Sequence, residues 1–128
     1  MYPSHADGST FRLSAVDILY FYDGDTFFIR CDGCPDKKLG VRPLGYDSPE
    51  IKGKCEKEKR LARQAKQYLV QIVRNAGNIE LVPNQRRPYD RWGRLLTAVY
   101  LDGQNLSEIM INAGMARDYV PGKPYSWC

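Results

Sequence analysis

Two aspartates, Asp23 and Asp25, straddle Gly24 in "FYDGDTFFIR", residues 21 to 30, a run otherwise mostly aromatic and aliphatic. Asp-Gly between hydrophobic runs is a strong hairpin signal, so the pair reads first as a turn. It also reads as half of a cation site. Residues two apart on an extended chain point to the same side, and two carboxylates there concentrate charge that a hard cation neutralises. Asp25 heads an apolar run, where a carboxylate calls for a partner.

Two further clusters carry similar chemistry. In "VRPLGYDSPE", Arg42, Asp47 and Glu50 share a short segment with Pro43 and Pro49. Pro49 forces Ser48 to an extended conformation, so the two acids leave a stiff turn. Such a turn is either a surface ion pair or the rigid placement of acids and arginine that metal-assisted phosphate chemistry needs. In "RRPYDRWGRLL", Arg86, Arg87, Arg91 and Arg94 alternate with Tyr89 and Trp92. Guanidinium groups grip phosphate oxygens bidentately and aromatic faces stack on bases, which suits a single-stranded nucleic acid. A solvated basic loop with two partly buried aromatics is the alternative.

The elements that must hold these clusters follow from periodicity. Residues 1 to 10, with Pro3 and Gly8, read as a flexible leader containing His5, the sole histidine, which is not a plausible ligand there. From Phe11 to about Arg30 the composition predicts a β-hairpin, and "VRPLGYD" a strand bent at Pro43 and Gly45. In "CEKEKRLARQAKQYLVQIVRNAG" the period changes: Leu61, Ala65, Tyr68, Leu69, Ile72, Val73 and Ala76 repeat at three and four, an amphipathic helix ended by Gly77. "NIELVP" and "RLLTAVYL" read as strands, with a turn at Asp102-Gly103. "NLSEIMINAG" reads as a short helix capped by Asn105 and ended by Gly114. The tail from Arg117, with Pro121, Gly122 and Pro124, reads as irregular. This order suits a small β-barrel with helices packed on it.

With 128 residues the chain has the size of one domain, and 43% hydrophobic with 27% charged residues is ordinary for a folded globular protein. Lys plus Arg number 19 against 15 Asp plus Glu, a balance that leans toward a polyanionic partner. The longest apolar run, Ile18 to Tyr22, is far too short to span a membrane. Residues 52 to 66 carry seven basic side chains, which serve either as a solvated helix face or to steer a polyanion toward Glu50. Cys31, Cys34, Cys55 and Cys128 form an even set that tilts toward an oxidising compartment. Localisation stays open: export if a signal segment has been removed, the cytoplasm otherwise. Cys31-x-x-Cys34 could be half of a zinc site, but no second pair completes it.

Together, "DGDT", an arginine before "DSPE", and "DRWGR" stand in the order and approximate spacing of motifs in the staphylococcal (micrococcal) nuclease family. Its usual forms are a DGDT turn, an arginine before D-T-P-E, and D-x-Y-G-R. The chain resembles that family over about residues 15 to 119. The resemblance implies an α+β, mainly β fold: a five-stranded OB-fold barrel with about three packed helices, as a single domain over residues 11 to 128. It implies a monomeric, Ca²⁺-dependent endonuclease that cuts DNA and RNA, single strands in preference, and leaves 3′-phosphate ends. Carried over residue by residue, Asp25, Asp47 and the backbone carbonyl of Ser48 would hold Ca²⁺, with Asp23 behind them. Glu50 would act on the attacking water, and Arg42 and Arg94 would hold the scissile phosphate. Tyr89, Arg91, Trp92 and Tyr119 would contact the nucleic acid.

Ser48 stands where the family usually has threonine, a near-neutral change for a carbonyl ligand. Trp92 stands for tyrosine, which keeps stacking and removes a hydroxyl. Where the family has a longer C-terminal helix this chain has its irregular tail, and a Cys55–Cys128 disulfide is expected to tie that tail to the first helix. A non-catalytic nucleic-acid-binding OB module is the alternative function. Degenerate nuclease repeats of that kind typically lose the acids and arginines, and here Asp25, Arg42, Asp47, Glu50 and Arg94 are all present.

Overall fold

In a computed structural model, which describes residues 10–122 and 125–128, the chain is mainly β with two α-helices. The expected leader, with His5, lies outside the described residues except for Thr10, as does Pro124 of the tail.

The stretch expected as one hairpin divides into β1 (Phe11–Leu13), β2 (Ile18–Asp23) and β3 (Thr26–Arg30). Only β2 and β3 form the hairpin; a 3₁₀ turn at Ala15–Asp17 diverts β1 to another partner. Next come β4 (Lys38–Pro43) and β5 (Tyr46–Asp47), which are separate because the chain bends at Pro43 and at Gly45, whose φ is +101°. Helix α1 (Glu56–Arg74) follows, then β6 (Ile79–Pro83), β7 (Leu95–Leu101), β8 (Gln104–Asn105), α2 (Leu106–Asn112) and β9 (Arg117–Asp118). The counts therefore differ from five strands and three helices. Short strand pieces flank the bends, and no third α-helix occurs among the described residues.

The main sheet runs β1-β6-β7-β4-β3-β2, with β8 added to β7. Its two edge strands are consecutive in the chain. Six strands laid flat would separate the edge axes by about 24 Å, whereas the residues from Leu13 to Ile18 reach at most about 17 Å. The sheet therefore curls, and the inward positions of β7 (Leu95, Thr97, Val99 and Leu101) are all buried. Helix α1 closes the core with Ala65, Leu69 and Val73, as its period predicts. It ends earlier than expected, however, at the Asn75 cap. Gly77 takes no left-handed conformation and donates its N–H to Asp102 at 3.2 Å. Helix α2 begins as expected, with Asn105 Oδ1 accepting from the Ser107 and Glu108 amides at 2.8 Å and 3.3 Å, and Gly114 follows it at φ +75°.

Candidate active site

The Asp-Gly-Asp turn joins β2 to β3 and is fixed from three sides. Asp23 Oδ1 accepts the Asp25 amide at 3.0 Å, a local turn of the side-chain-to-backbone kind. The buried Tyr46 hydroxyl donates to the Gly24 carbonyl at 2.9 Å. A Cβ on Gly24 would stand 2.9 Å from both Ala65 Cβ and Ser48 Oγ, so glycine lets the turn press on α1 and on the segment after β5. Asp25 is thereby delivered to two neighbours. Its Oδ2 accepts the Ser48 amide at 3.3 Å and lies 3.6 Å from Arg42 Nη2.

Arg42 comes from β4 and Arg94 from the turn entering β7. These strands run parallel, with Arg42 opposite Leu96. Alternation then puts Arg42 and Arg94 on one face, opposite buried Val41 and Leu95. Arg42 Nη2 stands 3.5 Å from Asp47 as well, so one guanidinium spans Asp25 and Asp47; both contacts are ion pairs too long for good hydrogen bonds. Arg94 is held more tightly. Its Nε donates to Asp90 Oδ2 at 2.7 Å and its Nη1 to Thr26 Oγ1 at 3.0 Å. Thr26 Oγ1 in turn donates to Asp25 at 3.3 Å. The missing Cβ of Gly40 leaves room for the Arg94 stem, whose Cγ would otherwise meet it at 3.0 Å.

The electrostatics follow from this crowding. Burial, and after it the charge of Asp25, pushes the Asp23 carboxyl up to about 8. Asp47 is raised by burial and then by Asp25, against the pull of Arg42. Glu50, on the loop after β5, is raised by burial and by the charges of Asp25, Asp47 and Glu58. Asp23, Asp25, Asp47 and Glu50 crowd together here and their donors are all oxygens, which fits a hard cation. Among the described residues no group of three or more acid, His or Cys side chains is placed to hold a metal ion by itself. Ser48 Oγ, buried and without a hydrogen-bond partner among the described residues, lies beside this turn.

Glu58, buried in the first turn of α1, accepts the Glu50 amide at 3.1 Å and the Lys54 amide at 2.9 Å, which fixes the loop that carries Glu50. A cleft of about 370 Å³ is lined by Arg42, Arg94, Trp92, Arg87 and Tyr119. Trp92 is 67% exposed and is covered by the Arg91 guanidinium at 4.4 Å from its ring. Of the aromatic residues expected to contact nucleic acid, Trp92 and Tyr119 reach this cleft. Tyr89 is half-buried and packs against the core.

Charged motifs did not reveal Thr26, Tyr46, Glu58 and Asp90. Asp90 had a local signal, its place in "DRWGR": it accepts the Trp92 and Arg94 amides, each at 2.9 Å, and so closes the turn that aims Arg94. For the other three, the partners that give them a role are distant in sequence or lie in a loop.

The family model described as staphylococcal nuclease homologue matches residues 40–125. That span holds Arg42, Asp47, Glu50 and Arg94, while Asp23 and Asp25 lie ahead of it. Endonuclease YncB of Bacillus subtilis (strain 168) is 34% identical over 95 residues, covering 74% of this chain and 43% of that protein. The SPbeta prophage-derived endonuclease YokF of the same strain is 33% identical over 95 residues, covering 74% of this chain and 31% of that one. An uncharacterized protein of Bacillus anthracis is 28% identical over 97 residues, 76% of this chain and 44% of its own length. The chain thus spans less than half the length of each of these relatives.

Proposed function

The chain belongs to the staphylococcal nuclease homologue family, and we propose that it is a Ca²⁺-dependent endonuclease that hydrolyses phosphodiester bonds of DNA and RNA. The observation that carries this reading is one connected line of contacts, from Arg94 through Thr26 and Asp25 to Arg42 and Asp47. It joins the phosphate-gripping groups to the carboxylates. The word endonuclease in the names of two relatives agrees with it.

In this reading Asp25, Asp47 and the Ser48 carbonyl hold Ca²⁺, with Asp23 behind them, and the bound ion offsets charge on the phosphate. Arg42 and Arg94, on one face of neighbouring strands, grip the nonbridging oxygens of a single phosphate and stabilise the extra charge of its five-coordinate transition state. Glu50, whose proton affinity is raised, takes a proton from the water that attacks phosphorus. The bond from phosphorus to the 5′-oxygen breaks, that oxygen takes up a proton from solvent, and the products end in 3′-phosphate and 5′-hydroxyl. Trp92, Arg91 and Tyr119 contact the flanking nucleotides. Single strands are cut faster than duplex, because an open cleft must receive a splayed strand.

We read residues 11 to 128 as one domain, an OB-fold barrel, and the protein as a monomer. Its paired cysteines suit an oxidising compartment. Digestion of single-stranded DNA with Ca²⁺ and with excess chelator tests the function. Cleavage to 3′-phosphate ends should require Ca²⁺; full activity in chelator would overturn the metal assignment. Binding without cleavage in Ca²⁺ would point instead to the non-catalytic module.

A further inference from the structure

The end of the tail is brought to the same region by a covalent bond. Cys128 pairs with Cys55, the N-cap residue of α1, 73 positions earlier. Cys55 terminates the loop that begins at Glu50, so the residues just before Cys128 are held against that loop. A cavity of about 350 Å³ is lined by Asp47, Glu50, Lys54, Tyr125 and Trp127 among others. A second, of about 260 Å³, is bounded by Asp47, Arg117, Tyr119, Tyr125 and Trp127. Asp47 lines both, and Tyr119 lines the second as well as the Arg42–Arg94 cleft. Each hollow thus shares lining residues with the next, and Trp92 and Trp127 line no hollow in common.

These aromatics are braced and at least partly accessible. The Tyr125 and Trp127 rings meet edge to face with centroids 4.9 Å apart. The Arg117 guanidinium lies 3.5 Å from the centre of the Tyr125 ring, and Arg117 is anchored by pairing with Asp47 in the β5–β9 ladder. Tyr125 is 50% exposed and Trp127 half-buried, and neither belongs to the core. Large aromatic faces held rigid beside a groove for phosphates are what base stacking requires, and every base offers a π-face. Arg117 already covers one face of Tyr125, so the indole of Trp127 is the larger platform.

We propose that Tyr125 and Trp127, tethered by the Cys55–Cys128 disulfide, form a second nucleobase-stacking site at the Glu50 end of the trough. A single-stranded substrate is then gripped on both sides of the phosphate held by Arg42 and Arg94. This rests on the nuclease reading for its ligand, and it adds binding residues that touch no reacting atom.

The test is the affinity of a short oligodeoxythymidylate in excess chelator, where nothing is cut, for the wild type, Trp127→Ala, Tyr125→Ala and Trp127→Phe. Cleavage kinetics in Ca²⁺ are measured separately. Loss of one stacked base should weaken binding by about 5- to 150-fold in Trp127→Ala. Trp127→Phe should keep most of the affinity, and an abasic oligonucleotide should bind wild type and Trp127→Ala alike. Equal affinity of the wild type and both alanine variants would overturn the inference. Tighter binding by them would overturn it too, because the tail would then be a cover over the acids. The two readings fail separately: a wild type that binds through Trp127 but never cuts loses the nuclease function alone, and one that cuts with no dependence on Trp127 loses the stacking site alone.

Discussion

Asp90 is neither metal ligand nor phosphate contact in this account, yet Arg94 depends on it. Replacing it by asparagine keeps the shape but turns an N–H₂ group or a weaker acceptor toward Arg94 Nε, now 2.7 Å from a carboxylate oxygen. Asp90→Asn should therefore lower kcat by about 10- to 100-fold, the cost of a misplaced catalytic group, with KM little changed. The same contacts leave a pH signature. Burial alone would raise the Asp90 carboxyl, but the hydrogen bonds and charge of Arg94 win and hold it below its usual value. A depressed folded value gives stability that is present above the unfolded value and lost as pH falls through the folded one. The difference in Tm between wild type and Asp90→Asn should thus be full above about pH 5 and shrink below about pH 4; a difference constant with pH would contradict it. Motif resemblance singled out Asp25, Arg42, Asp47, Glu50 and Arg94 as candidates, and the fold brings Arg42 within ion-pair distance of Asp25 and Asp47. The role of Thr26 was not readable, although it ends "DGDT", because the Arg94 that donates to it lies 68 positions away. Nor was Glu58, which looks like one more acid on a charged helix until it accepts two loop amides.

Strand composition and the period of α1 and α2 located most elements, and Gly45 and Pro43 marked the break between β4 and β5. Sequence could not show which strand β1 would join, since that depends on a 3₁₀ turn and on the curl of the whole sheet. It also put the end of α1 at Gly77, where the last turn in fact closes at Asn75 without a left-handed residue. Gly24 read as a turn glycine, but its φ is not positive and its necessity is steric. Gly24→Ala should accordingly destabilise the fold by about 1–3 kcal/mol, the usual cost of overpacking, and displace Asp25. Urea unfolding checks the first and Ca²⁺ affinity the second; a neutral substitution would mean the turn yields freely.

The molecule is closed by links between distant parts of the chain. The Cys55–Cys128 bridge joins residues 73 apart, the Cys31–Cys34 bridge residues only 3 apart. Closing the longer loop restricts the unfolded chain by about 4 kcal/mol in the chain-entropy model. Cys128→Ser should therefore cost stability on that order, and Cys34→Ser distinctly less through loop closure; a reversed ranking in urea would show that native packing, not chain entropy, dominates. The Cys55–Cys128 pairing is the one expected from the sequence. The tail's path across the site was not readable, because it depends on where α1 begins relative to Asp47. The division of labour across the molecule is tested most directly by single-strand cleavage rates across a Ca²⁺ titration for Arg94→Lys, Glu50→Gln and Asp25→Asn. The account predicts that Arg94→Lys and Glu50→Gln lower kcat, Arg94→Lys by about 10² or more, with the Ca²⁺ midpoint unmoved, and that Asp25→Asn shifts the midpoint to higher Ca²⁺. Near-normal turnover by Arg94→Lys, or a Ca²⁺ midpoint indifferent to Asp25→Asn, would contradict it.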